Sequence, residues 1–169
     1  LASLPVNEVI TTNYDTLFEE AALPVEDERP ISILPHKPVP GASRWLLKMH
    51  GCVTKPEDIV LTRRDYIRFA ERGAALGGIV QSALLTKHLM FVGFSLSDDN
   101  FHRVFDAVLK AAPVNTRHDQ RNSALMLVRS QLQAELWDGE VGLTYIQEEN
   151  EKDYDMADLA RKHDILLDL

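Results

Sequence analysis

Cysteine is almost absent: Cys52 is the only one in 169 residues. One thiol excludes an internal disulfide and a thiolate zinc cage, and fits a reducing cytoplasm. The six histidines, His36, His50, His88, His102, His118 and His163, have no ligand-type spacing, so no metal is expected. Long apolar runs are missing too. None approaches the roughly 18 residues a membrane span needs, and no signal-peptide pattern opens the chain. Positive charge is scarce: 18 Lys and Arg against 26 Asp and Glu leave a net charge of −8. An acidic surface repels phosphate backbones, so direct nucleic-acid binding is not expected. The one basic group, Arg63, Arg64, Arg68 and Arg72, is interrupted by Asp65 and Glu71 and reads as a solvated helix face.

What is present is the balance of an ordinary globular domain, 45% hydrophobic and 26% charged residues, and the length suits one domain spanning residues 1–169. The sequence starts Leu-Ala-Ser-Leu-Pro and reaches its first strand almost at once, so we expect a piece of a longer chain. Short apolar runs predict strands at Val9–Thr12, Ile31–Leu34, Trp45–Met49, Asp58–Leu61, Leu89–Val92, Ala124–Val128 and Leu143–Ile146. Between them lie helical patterns. Leu17, Phe18, Ala21 and Ala22 mark one that Pro24 should stop. Thr62-x-x-Asp65 is a capping box opening a second, with Tyr66 and Phe69 on one face. Leu76, Ile79, Val80, Ala83 and Leu84 keep helical spacing, and Phe101, Val104, Phe105, Val108 and Leu109 form an amphipathic stripe. Ser130-x-x-Gln133 caps a short helix, and Met156, Leu159, Ala160, His163 and Leu167 line a closing one.

Strands alternating with helices predict an α/β, Rossmann-like fold, a parallel sheet with helices on both faces. Ligands of such sheets bind beyond the carboxyl ends of the strands. That rule selects Thr12 to Asp15, His50-Gly51 and Gly93 to Ser97. Each has a plain structural reading as well. Asn13 and Asp15 suit helix capping, His50 a turn beside a needed glycine, and Ser95 or Ser97 an N-cap after a tight turn. Tyr66, Phe69, Phe101 and Phe105 read as core. Trp45 and Trp137 carry no functional signal. Cys52 and His50, two apart at a strand end with Gly51 between them, are expected to diverge and not to make a nucleophile pair.

The three loops together resemble the sirtuin family, and more closely its branch among bacterial anti-phage defence proteins. Sirtuins carry Thr-Gln-Asn-Ile-Asp, then His-Gly, then Gly-Thr-Ser-Leu, each after a strand. Here the strings are Thr11-Thr12-Asn13-Tyr14-Asp15, His50-Gly51 and Gly93-Phe94-Ser95-Leu96. The defence branch writes Thr-Thr-Asn-Tyr-Asp and Gly-aromatic-Ser-Leu-Ser-Asp, and Asp98 completes the second. Two features depart from the family. The four-cysteine zinc module of sirtuin deacetylases has no counterpart in the stretch of about 37 residues between the second and third motifs. The Gly-Ala-Gly-like phosphate loop is also not found.

The resemblance implies a sirtuin-like NAD-binding fold, incomplete at its N-terminus, that cleaves NAD to nicotinamide and ADP-ribose without a metal. It assigns Asn13 to ordering the ribose and the attacking water and His50 to general-base work, and both are expected at loop tips. It assigns Asp15 to the nicotinamide amide, with Thr12, Gly93 and Ser95 as further cofactor-binding residues. An amide donates and accepts without adding charge, and a neutral imidazole takes a proton at cellular pH. The implied setting is a cytoplasmic defence effector, either a homo-oligomer or one fused to or partnered with a sensor domain, and inactive as this isolated stretch. The alternative is a non-catalytic module sensing NAD or ADP-ribose. A third reading is a structural core that binds nothing.

Overall fold

The central strand of the first half carries a charge at each end and only apolar residues in its buried middle. In a computed structural model, residues 1–26, 30–111 and 122–147 are described, with residues 155, 157 and 161. The chain divides into two compact units, Leu1–Val80 and Gln81–Leu169.

In the first unit, β1 (Glu8–Thr11), β2 (Ile31–Leu34) and β3 (Arg44–Lys48) form a parallel sheet in the order β1-β3-β2. Central β3 is deeply buried, with Leu46 and Leu47 fully inaccessible. Side chains alternate across a strand, so Arg44, Leu46 and Lys48 share a face. Helix α1 (Leu17–Glu26) covers it: the Arg44 guanidinium lies 5.8 Å from the Phe18 ring centroid, and Lys48 Nζ is 2.9 Å from Glu19 Oε1. The Arg44 guanidinium also donates to the Ala2 carbonyl.

Two local expectations are corrected. Helix α1 runs through Pro24 to Glu26. A proline deprives only one carbonyl of its donor, so the helix ends within a turn of it rather than at it. The strand expected at Asp58–Leu61 is instead a 3₁₀ turn over Pro56–Asp58 followed by an extended segment. Pro56 favours the turn, Ile59 N–H closes it on the Pro56 carbonyl, and Val60 N–H makes a single bond to the His50 carbonyl rather than a ladder. The capping box forms as expected at the start of α2 (Arg63–Arg72), and α3 (Ala74–Thr86) follows.

The second unit holds β4 (Met90–Val92), α4 (Asp99–Ala111), β5 (Asn122–Val128), α5 (Gln131–Leu136) and β6 (Val141–Gln147), its parallel strands ordered β4-β5-β6. Phe101, Phe105 and Val108 of α4 are buried, as their spacing predicts. Phe101 is the hub of a ring cluster with Phe91 and Phe94, each 5.2 Å away, and Phe105 meets the buried Trp137 edge-on at 5.3 Å. Ser130 caps α5. The closing helix expected around Met156 to Leu167 lies largely outside the described residues. Parallel strands joined by helices make the α/β, Rossmann-like class that the alternation predicts.

The capping box yields a pH signature. The Thr62 hydroxyl and then its backbone N–H hold the Asp65 carboxyl below the usual carboxylate range, helped by Leu61 N–H and the Arg68 charge against the opposing effect of burial. A depressed carboxylate pKa contributes stability above the unfolded value and loses it as pH falls through the folded one. Thr62→Ala should therefore destabilise the domain near neutral pH. The gap to wild type should narrow below about pH 4. Urea melts at both pH values check this.

Candidate functional site

Register sets the site in the first unit. Thr11 of β1 lies opposite Lys48 of β3, so the chain leaves both strands at the same edge of the sheet. Met49 N–H then bonds to the Thr11 carbonyl at 2.9 Å and Val53 N–H to the Tyr14 carbonyl at 2.8 Å. Thr12, Asn13, Asp15 and His50 are thereby brought together at one strand end, as loop selection predicts for parallel sheets.

Within that edge the residues differ in setting. Asn13 is exposed, its backbone N–H held by Thr11 Oγ1 at 3.1 Å. Thr12 is half-buried. Asp15 Oδ1 accepts the Leu17 N–H at 3.1 Å, so this carboxylate caps the start of α1. The capping reading therefore holds for this side chain. The Tyr14 hydroxyl donates to the Val60 carbonyl at 2.7 Å and ties the loop to the segment after the 3₁₀ turn.

His50 is not at an exposed loop tip; only 3% of it is accessible. Its ring meets Tyr66 edge-on at 5.3 Å and Phe69 at 6.0 Å. Those two aromatics, read from spacing as core, are half-buried and wall the imidazole. Gly51 follows at φ +87°, and a Cβ there would stand 2.5 Å from the Asp58 carbonyl oxygen. Only glycine lets the chain turn past that backbone. A cleft of about 230 Å³ opens beside it, lined by Met49, Gly51, Asp58, Val60 and Phe69 among others, with His36 Nδ1 3.7 Å from Asp58 Oδ2. Small-molecule sites usually run from about 300 Å³ upwards, so this cleft is smaller than most.

In the second unit, Gly93 directly follows β4 with φ +62°, and Leu96, at φ 57°, is a buried non-glycine residue in the left-handed region. Such strain persists only where surroundings enforce it. His102 Nε2 donates to the Leu96 carbonyl at 2.8 Å, Gln133 Nε2 to the Ser95 carbonyl at 3.3 Å, and Asp98 Oδ1 caps the Phe101 N–H at 2.8 Å. The Ser95 and Ser97 hydroxyls pair at 2.6 Å. Neither serine is seen capping α4; Asp98 does that. Gly93 and Ser95 belong to this unit, and Thr12, Asn13, Asp15 and His50 to the first.

One neighbour of this strand end is not announced by any motif. The Lys48 ammonium, wholly inaccessible, donates to the main-chain carbonyl of Asp15 as well as to Glu19. The signal was a lone cation inside the apolar run Trp45–Met49. Cys52 is buried beside it and accepts from the Thr54 hydroxyl at 3.2 Å. Burial pushes that thiol up, but the Thr54 hydrogen bonds and the Lys48 charge outweigh it and the net direction is down. Among the described residues no cluster of three or more His, Cys, Asp or Glu could hold a metal. None of their helices is long and apolar enough to cross a membrane.

A sequence profile of the SIR2-like domain matches residues 7–146, from just before β1 to the end of the second sheet. The chain belongs to the SIR2-like domain family. Among relatives, the NAD(+) hydrolase ThsA of Bacillus cereus (strain MSX-D12) is 32% identical over 117 residues, covering 66% of this chain and 24% of that protein. The NAD(+) hydrolase ThsA of Enterococcus faecium is 34% identical over 113 residues, 64% of this chain and 23% of that one. Defense-associated sirtuin 2 of Bacillus subtilis is 31% identical over 108 residues, covering 60% of this chain and 10% of its own length. This SIR2-like chain thus spans a quarter or less of the length of these relatives.

Gly51 offers the sharpest structural test. Gly51→Ala would meet a left-handed penalty of roughly 1–2 kcal/mol, plus the clash with Asp58 and Ile59. Thermal melts should show a loss larger than that penalty alone. An alanine variant as stable as wild type would mean that the turn after His50 is not closed on Asp58.

Proposed function

We propose that this SIR2-like domain cleaves NAD between ribose and nicotinamide, with Asn13 and His50 as the catalytic pair and water as the acceptor. One observation carries the reading: Asn13 and His50 leave neighbouring parallel strands at the same edge, where Thr11 faces Lys48. The names of the relatives support it, since those from B. cereus and E. faecium are NAD(+) hydrolases.

In this scheme the glycosidic electron pair leaves with nicotinamide, and positive charge spreads over the ribose. Asn13, exposed on a loop anchored on both sides, orders the ribose and the attacking water. His50, walled by Tyr66 and Phe69, takes a proton from water or a ribose hydroxyl as the new carbon–oxygen bond forms. The products are nicotinamide, ADP-ribose and one proton. Asp15 addresses the nicotinamide amide and Thr12 contributes to holding the dinucleotide, with Gly93 and Ser95 kept as cofactor-binding candidates of the second unit. With Cys52 the only cysteine, no thiolate zinc cage can form the second wall of an acyl-lysine cleft. A domain of this kind would act in the cytoplasm as a defence effector, as a homo-oligomer or coupled to a sensor domain.

The test uses the full-length protein, because residues 1–169 contain no Gly-Ala-Gly-like phosphate loop. Nicotinamide release from NAD should proceed with no acylated peptide present. Asn13→Ala and His50→Gln should each lower it by about 10² to 10⁴, with melting temperatures near wild type. Glutamine is chosen at position 50 because the site is buried and needs its bulk. A His50→Gln enzyme of nearly full activity would remove His50 from the mechanism. Tight NAD binding with no turnover would instead favour the sensor reading.

A further inference from the structure

Lys48 is a full positive charge placed where an apolar side chain would fill the core at no electrostatic penalty. Its side chain is 0% exposed and that of its partner Glu19 15%. Burying an ammonium is strongly unfavourable unless its donors are met and its charge neutralised. Glu19 does the second at 2.9 Å, and the Asp15 main-chain carbonyl takes another donor. That carbonyl ends the very loop that carries Asn13.

The rest of the loop is anchored by the Thr11 carbonyl on Met49 N–H, the Tyr14 carbonyl on Val53 N–H, and the Tyr14 hydroxyl on Val60. Thr11, Tyr14 and Asp15 are thus all tied, and Asn13, between them, is left exposed. The ammonium is the only one of these ties that uses a side chain of β3, the strand that also delivers His50 two residues later.

We propose that the Lys48–Glu19 pair is a positioning device for turnover: Lys48 locks the Asn13–Asp15 loop to the strand that carries His50, and Glu19 cancels the charge that doing so introduces. The proposal rests on the NAD-cleaving reading. The cancellation matters because the reaction develops positive charge on the ribose. An unmatched ammonium at this strand end would oppose that charge, since buried charges are poorly screened. Lys48 and Glu19 touch no substrate in this account; they act through the loop.

The experiment compares nicotinamide release and thermal melting of the full-length wild type, Glu19→Gln and the double variant Lys48→Met/Glu19→Leu. Replacing both buried charges with apolar groups is often neutral or stabilising, so the double variant should melt close to wild type. Its kcat should nonetheless fall about 10²-fold, the effect of a misplaced reacting group, with KM changed by less than about threefold. Glu19→Gln keeps an acceptor for Lys48 but leaves its charge unmatched. Its kcat should drop about tenfold or more, again with little change in KM. A merely structural pair would move melting and not the kcat-to-KM split. A well-folded double variant with wild-type kcat overturns the proposal. Should the double variant not fold, Glu19→Gln decides alone, and full kcat there overturns the proposal equally. A wild type that releases no nicotinamide overturns the NAD-cleaving reading itself, and is recognised by that control.

Discussion

The parallel register of β1 against β3 is the constraint from which the site follows. With Thr11 opposite Lys48, the two strands end level, and the loops after them can exchange backbone hydrogen bonds. A slip of one residue would turn every β3 side chain to the other face. Lys48 would then leave α1, Leu47 would replace it beside Glu19, and the Asp15 carbonyl would lose its donor. Register, ion pair and loop position are therefore one property of the sheet, not three.

The same strand shows how polar chemistry is admitted into an apolar layer. Arg44 and Lys48 sit at opposite ends of β3, each almost inaccessible and each bonded to a main-chain carbonyl, of Ala2 and Asp15 respectively. Between them Leu46 and Leu47 supply the burial that stabilises the sheet. At the Lys48 end the arrangement adjoins the Asp15 carbonyl and the strand end that leads to His50, the edge proposed to act on NAD. Gly51 completes it, since no other residue can follow His50 and pass the Asp58 carbonyl.

Much of this was legible in the sequence, for physical reasons. Strand and helix periods differ, so the alternation of short apolar runs with stripes such as Phe101 to Leu109 announces an α/β fold. Loops at strand ends are short in sequence, so Thr12 to Asp15, His50-Gly51 and Gly93 to Ser97 could be picked out one by one. Local capping chemistry was readable at Thr62 and Ser130 because both partners lie within three residues. What escaped was long-range. Glu19 and Lys48 are 29 residues apart, and nothing in either neighbourhood names the other. The burial of His50 depends on Tyr66 and Phe69 arriving from α2, so a histidine beside a glycine looked like an exposed tip. The false strand at Asp58–Leu61 had an apolar pattern, and Pro56 decided against it.

Everything proposed for this site depends on water attacking the ribose of NAD at the edge that Asn13 and His50 share. The most direct measurement is to incubate the full-length protein with NAD in water enriched in heavy oxygen and to weigh the products by mass spectrometry. Equimolar nicotinamide and ADP-ribose are expected, with one heavy oxygen per ADP-ribose and no requirement for an acylated peptide. Nicotinamide released only when such a peptide is supplied, with the acyl group recovered on ADP-ribose, would contradict it.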